Sequence, residues 1–425
     1  MSSIQNTPSL RRNTAALFTL QLANYVLPLV TLPWLTRVLD VGGFGRLGFA
    51  LAVISYFVLV ADYGFNYSAT REVAVQRDNR QRVAQIFWTT MRIKYSAAVL
   101  GFAVLLLVCY GFGLLVQERL LLLIGYLAVV GAVLTPTWYF QGKEQVITLS
   151  VITVITKALS VPLIIMLVRE PEDIHLAMGI MSGATLLTGV LAFAEVFRRE
   201  GFFYVTTTWS EIRTALVAGW HSFLATAAIS VYLTANAILL GAFAGYVALG
   251  YYVAAEKIIR GVQGMMAPVA VAAYPRASFL LSSGGSAYGI FFRKILLLQL
   301  ALGMVVSVPL LLFADEIMTR VFGPQFSAAG IDMAIMAVIP IAVAIGNVFA
   351  NQYVLARGDS RRHFQIVAVA CVFYLLTAPG LVIWLSDVGA AIAAVLVELV
   401  VLAVAATFAL RTGLLQAIRR QANDG

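Results

Sequence analysis

The chain has 425 residues, of which 61% are hydrophobic and only 12% charged, with a mean hydropathy of +0.90. No soluble domain of this length has a core large enough to hide that much apolar surface, so a water-soluble fold is excluded and a membrane setting implied. The net charge of +9 would suggest nucleic acid in a soluble protein. Here the positive residues fall in short loops between apolar runs, where they set orientation in a membrane, and no nucleic-acid partner is expected.

In chain order, apolar runs long enough to span a bilayer occur at 14–37, 44–68, 84–110, 120–140, 145–168 and 176–197. A second set follows at 214–241, 247–270, 290–313, 329–353, 363–385 and 388–410. The expectation is an all-α membrane protein of about twelve transmembrane helices, each of the length that crosses a hydrocarbon core. The polar start, Met1 to Arg12, runs directly into the first apolar run, so no cleavable leader is expected. The third run opens on the amphipathic RVAQIFWTTMRIK and is expected to protrude before it enters the membrane. The longest connection splits the chain into a six-helix bundle at 1–198, a linker at 199–213 and a second six-helix bundle at 214–425. A weak internal repeat supports the split: Leu47-Gly48-Phe49 and Leu249-Gly250-Tyr251 each follow a glycine-containing turn.

Alternate loops differ in charge. One set holds Arg11, Arg12, Arg71, Arg77, Arg80, Arg82, Lys143, Arg198, Arg199, Arg213, Arg276, Arg293, Lys294, Arg357, Arg361, Arg362, Arg411, Arg419 and Arg420. The other set holds Arg37, Arg46, Arg119, Arg169 and Arg320. This roughly fourfold bias predicts a multi-pass membrane protein with both termini in the cytoplasm.

The run at 247–270 carries Glu256, Lys257 and Arg260 within two helical turns. A charge near mid-bilayer costs roughly 2.5–3.5 kcal/mol on insertion scales, so three of them need water, a partner or an ionic ligand. Glu256 and Arg260 are spaced four apart and can pair; that reading neutralises the helix but leaves Lys257 over. The other reading is a hydrated cationic cavity for an anionic substrate. Asp62, at the end of the second run, is either a structural partner for Arg71, Arg92, Lys94 or Lys157, or a coupling residue. Arg92 and Lys94 are expected to snorkel to the headgroups, whereas Lys157 lies too deep for that and is the better cavity candidate. Glu398 is similarly deep.

Prolines at 28, 33, 136, 162, 268, 309, 340 and 379 are expected to interrupt helices. Gln21, Asn24, Asn236, Asn347, Asn351 and Gln352 either line a sugar path or bond between helices. Trp138-Tyr139-Phe140 is expected at the cytoplasmic interface. Cys109 and Cys371 read as core residues. No nucleotide-binding loop occurs, and His175, His221 and His363 are scattered, so neither an ATP-driven motor, a metal site nor a cofactor is expected.

The strings ADYGFNYSATREVA (61–74), PTWYFQGKE (136–144), TANAILLG (234–241), GYYVAAEKIIRGVQGMMAPVAVAAYPRAS (250–278) and FGPQFSAA (322–329) resemble the O-antigen repeat-unit flippases, called Wzx. These form part of the polysaccharide transporter branch of the multidrug/oligosaccharidyl-lipid/polysaccharide exporter superfamily. The resemblance runs from about Leu17 to Leu410. It implies two bundles in a V around a central cavity. It also implies an oligosaccharide on undecaprenyl pyrophosphate as substrate, and polymerase and chain-length proteins as partners. Lys257, Arg260 and Lys157 would then face the pyrophosphate, with Glu256 and Asp62 as ion-pair or coupling residues. Relatives often carry an acid where this chain has Asn236, so a coupling role at that position is not transferred. The runner-up is a cation-coupled drug exporter of similar architecture, and the third reading is a membrane enzyme acting on the same lipid-linked sugars. The external loops look short for an enzyme's active site.

Overall fold

The structure, a computed structural model, describes residues 30–111, 115–201, 204–282, 287–412 and 414. Every regular element among them is helical. Nine helices among the described residues are long and apolar enough to cross a membrane. The last of these, Ser360–Arg411, is 52 residues long but carries a break at Ser386 (φ 56°, ψ −132°). It is therefore two spans, divided where the sequence predicts a loop between 385 and 388. Tyr246–Ser282 adds a 37-residue helix with Glu256, Lys257 and Arg260 in its first half. The first predicted run, with Gln21, Asn24 and Pro28, lies outside the described residues except for a helical stretch at 30–38. The protein is an all-α membrane protein with about twelve spans.

The chain forms two compact units. The first comprises the described residues up to Leu39 together with Arg46–Ala227; the second comprises Asp40–Gly45 and the chain from Ala228 onward. In the first unit the helices are α1 (Asp40–Asp62), α2 (Phe65–Val75), α3 (Arg80–Gly111), α4 (Arg119–Leu134), α5 (Thr137–Gly142), α6 (Val146–Leu167) and α7 (Ile174–Glu200). The division falls inside α8 (Trp209–Phe243). The second unit continues with α9 (Tyr246–Ser282), α10 (Ala287–Leu312), α11 (Ala314–Phe322), α12 (Ala329–Met336), α13 (Ile339–Phe349) and α14 (Ser360–Arg411).

Lipid tails are as apolar as leucine, so these helices do not associate through the hydrophobic effect; close packing and interhelical hydrogen bonds take its place. The side chains follow that rule. Leu100, Leu107, Leu376 and Trp384 are exposed, as lipid-facing residues are. The interior of the first unit is an aromatic cluster of Phe65, Phe87, Trp138, Tyr139 and Phe140, with Phe193 and Phe197 packed against it. This corrects the expectation for Trp138-Tyr139-Phe140: all three are fully buried rather than interfacial. The reason is local. Pro136 ends α4, and the chain turns into the short helix α5, which lies on α2 so closely that a Cβ on Gly142 would sit 2.7 Å from Val73.

The prolines follow expectation in part: Pro136 marks a helix break and Pro340 lies at the start of α13, but others do not interrupt their helices. Pro162, Pro268, Pro275, Pro309 and Pro379 all lie inside continuous helices. A single missing N–H is tolerated where neighbours satisfy the freed carbonyl. Besides Thr135-Pro136, breaks fall at Tyr63-Gly64, both left-handed, and at Ser386. The two glycine turns singled out as a repeat meet each other. A Cβ on Gly45 would lie 1.8 Å from the Tyr246 carbonyl, and one on Gly250 would lie 2.2 Å from the Val41 carbonyl. Only glycine permits that approach.

Candidate functional site: charged groups within the spans

In the first unit α1 ends at Asp62, next to the left-handed pair Tyr63-Gly64. The Lys94 ammonium of α3 lies 2.8 Å from the Asp62 carboxylate and donates to the Ala132 carbonyl at 3.1 Å. That carbonyl is one that Pro136, four residues on and lacking an N–H, cannot engage. Lys94 is thus 1% exposed and not snorkelling, which corrects the sequence expectation. The expectation failed because Lys94 lies near the cytoplasmic end of its helix by counting, while the break at Pro136 brings a carbonyl to it. Lys157 lies half-buried on α6, where the Ser160 hydroxyl donates to its backbone carbonyl at 2.7 Å.

In the second unit Glu256, Lys257 and Arg260 lie in the first half of α9. The Arg260 guanidinium lies 3.3 Å from Glu256 and donates to the Leu233 carbonyl of α8 at 3.3 Å. It lines a recess with Tyr232, Gln263, Glu398 and apolar residues of α12, α13 and α14. Arg260 therefore meets two carboxylates, one on its own helix and one across the recess. Lys257 is half-buried and has no hydrogen-bond or ion-pair partner among the described residues. It is not among the residues that line the Arg260 recess. An ammonium held at such a depth keeps its charge only if water or an anion reaches it.

Asn236 and Gln352 resolve to interhelical bonding. Tyr374 Oη donates to Asn236 Oδ1 at 2.7 Å, and Asn236 Nδ2 donates to Tyr252 Oη at 2.9 Å and to the Ala390 carbonyl at 3.2 Å. Asn236 and Gln352 are fully buried, so neither lines a sugar path. Asn351 Nδ2 donates to Asn347 Oδ1 at 2.9 Å. Cys109 is buried, Cys371 is partly buried, and both are free. Among the described residues no cluster of three metal-binding side chains occurs.

Sequence reasoning passed over two buried acids. Glu118, 1% exposed, receives Arg46 at 2.8 Å. Asp332 in the first turn of α12 is fully buried. Both sit at predicted helix ends, where an acid looks interfacial; the signal available for Asp332 was its place inside the run 329–353.

The chain was compared with known proteins. A family model described as "Polysaccharide biosynthesis protein" matches residues 10–280. A protein of Escherichia coli (strain K12), named as an O-antigen transporter, is 32% identical over 400 residues, covering 93% of this chain and 95% of its own. One from Shigella dysenteriae with the same name is 26% identical, covering 92% and 98%. Among solved structures, the lipid II flippase MurJ in an inward closed conformation superposes with a TM-score of 0.73 at 10% identity, covering 96% of this chain and 90% of that one. An inward-facing MATE family multidrug resistance transporter gives 0.68 at 12% identity, covering 95% and 99%. These two likenesses establish the fold alone. The chain belongs to the polysaccharide biosynthesis protein family.

Proposed function

We propose that this protein is a flippase that carries lipid-linked oligosaccharide repeat units, of the O-antigen class, across a bacterial inner membrane. Relatives named for O-antigen transport that match over nearly the whole chain support this reading. The observation that carries it is Lys257, a half-buried cation within a span that has no hydrogen-bond or ion-pair partner among the described residues. The membrane lipid that fits is undecaprenyl pyrophosphate, whose diphosphate would supply the missing negative charge, with charge-assisted hydrogen bonds to an ammonium. Arg260, already held by Glu256, would orient that group, and Lys157 would supply a further positive charge from the first unit. Glu256 would set the position of Arg260, and Asp62 would hold Lys94 in place. Transport would proceed by alternating access, without a chemical step. Both termini would lie in the cytoplasm, and the product would pass to polymerase and chain-length proteins on the other face.

The test is complementation of a flippase-deficient strain of known repeat unit, scored by surface polysaccharide with membrane levels matched by blot. Wild type restores the polysaccharide, Lys257→Ala does not, and Lys257→Arg restores part. Full restoration by Lys257→Ala would contradict the assignment of the cation. Resistance to cationic dyes without restoration of polysaccharide would favour the drug-exporter reading, whose only support here is the shared fold.

A further inference from the structure

Asp332 stands apart from every residue used so far. It is 0% exposed, and neither carboxyl oxygen has a hydrogen-bond partner among the described residues. Burying an ionised carboxylate with nothing paired to it costs several kcal/mol even after relaxation. Its place in the first turn of α12 lets the helix dipole return only about 0.3–1 kcal/mol. That does not offset the cost, so a positive charge must accompany this group.

The surroundings identify which charge. Helix α12 packs against α9, α10, α11 and α14. From α14 comes Asp387, half-buried, directly after the break at Ser386, and its charge acts on Asp332. From α11 comes Asp315, exposed, whose carboxylate borders Gly330 at the start of α12. From α9 comes Tyr252, which Asp332 reaches electrostatically and which Asn236 links to Tyr374. Glu256 and Arg260 act on the same tyrosine, and α10 presents no titratable side chain toward this point. No lysine, arginine or histidine faces Asp332 from these elements among the described residues, and no third acid completes a metal-ligand set. Two further carboxylates instead approach the start of α12: exposed Asp315, which borders Gly330, and half-buried Asp387, whose charge acts on Asp332.

We propose that Asp332 is a proton-binding site of the second unit, filled from the face bearing α11 by way of Asp315 and Asp387. The transfer is simple protonation: a proton from water adds to the Asp332 carboxylate and returns by the same carboxylates. Beyond Asp332, the Tyr252–Asn236–Tyr374 bonds tie the site to α8 and α14, so gain or loss of the proton changes the charge against which three helices pack. That the proton drives transport rests on the flippase reading; that Asp332 binds one does not.

The experiment reads the proton rather than the substrate. Infrared spectra of the purified full-length protein in lipid nanodiscs are compared for wild type, Asp332→Asn and Asp332→Glu, in sodium-free buffer. The carbonyl-stretch band of a protonated carboxylic acid in an apolar setting is expected in wild type, lost in Asp332→Asn and kept, displaced, in Asp332→Glu. Raising the pH removes it from wild type. An identical band in wild type and Asp332→Asn would overturn the proposal, with Asp332→Glu guarding against loss through misfolding. Loss of the wild-type band on adding sodium at constant pH would overturn it in favour of a sodium site. Failure of complementation with this band present would count against the flippase reading alone.

Discussion

At the scale of single residues, the Asp62–Lys94 pair is the most constrained contact in the first unit. Lys94 is buried and, among the described residues, Asp62 is the carboxylate it pairs with, so each holds the other's charge in place. Removing one partner of a buried pair costs about 3–5 kcal/mol, because the remaining charge is left uncompensated. Asp62→Asn and Lys94→Met should therefore each lower the thermal midpoint in detergent sharply, and the double variant should recover much of the loss. Additive losses would show that the two do not depend on each other. Arg260 differs, since its side chain is 34% exposed and its pair with Glu256 is partly solvated. Glu256→Gln is expected to cost only about 0–1 kcal/mol of stability. The sequence revealed Lys257, Arg260 and Glu256 because ionisable residues inside an apolar run stand out in any hydropathy reading. It did not reveal the burial of Lys94 or Asp332. Lys94 was counted near the cytoplasmic end of its apolar run and Asp332 lies in the first turn of α12, and only the tertiary path of the chain determines whether such a place meets water or protein.

At the scale of elements, helix lengths and number were legible because the bilayer sets them. The predicted loop between 385 and 388 falls on the Ser386 break, within a helix that otherwise runs through. The breaks inside spans were legible only in part. Tyr63-Gly64 was read as part of a continuous run, since a break of one or two residues leaves no trace in average hydropathy, whereas the break at Pro136 was legible from the proline itself. Ser386 holds a conformation that costs a non-glycine residue about 1–3 kcal/mol. Ser386→Gly should raise the thermal midpoint and Ser386→Val should lower it; equal midpoints would mean that the break is relaxed. The glycine contact makes the opposite demand. At Gly250 an added methyl meets the Val41 backbone, which cannot move aside as a side chain can. Gly250→Ala is expected to cost about 1–3 kcal/mol, the usual penalty of overpacking, read as a lower midpoint and less monodisperse protein. Wild-type behaviour there would show that the two turns separate freely.

At the scale of the whole molecule, the charge bias between loops carries the orientation. Several of the biased cations are also paired locally, as Arg198 and Arg199 are with Glu195 and Lys143 is with Glu200. Such pairing does not cancel the orienting effect, which counts lysine and arginine rather than net charge. A phosphatase reporter fused after Asp173 should therefore be active outside the cytoplasm, and one fused after Gly201 should be silent. The reverse pattern would invert the topology, and with it the face from which Asp332 is filled. Composition alone indicated a membrane protein, but the substrate class rests on the relatives and on Lys257, which has no partner among the described residues. The most direct measurement of that claim reconstitutes the full chain in proteoliposomes with an undecaprenyl-pyrophosphate-linked oligosaccharide and follows its passage between leaflets. Wild type should exceed protein-free vesicles, and Lys257→Ala should be slower than wild type by about tenfold or more, the loss of one charge-assisted contact. Wild type no faster than empty vesicles, or Lys257→Ala equal to wild type, would contradict it.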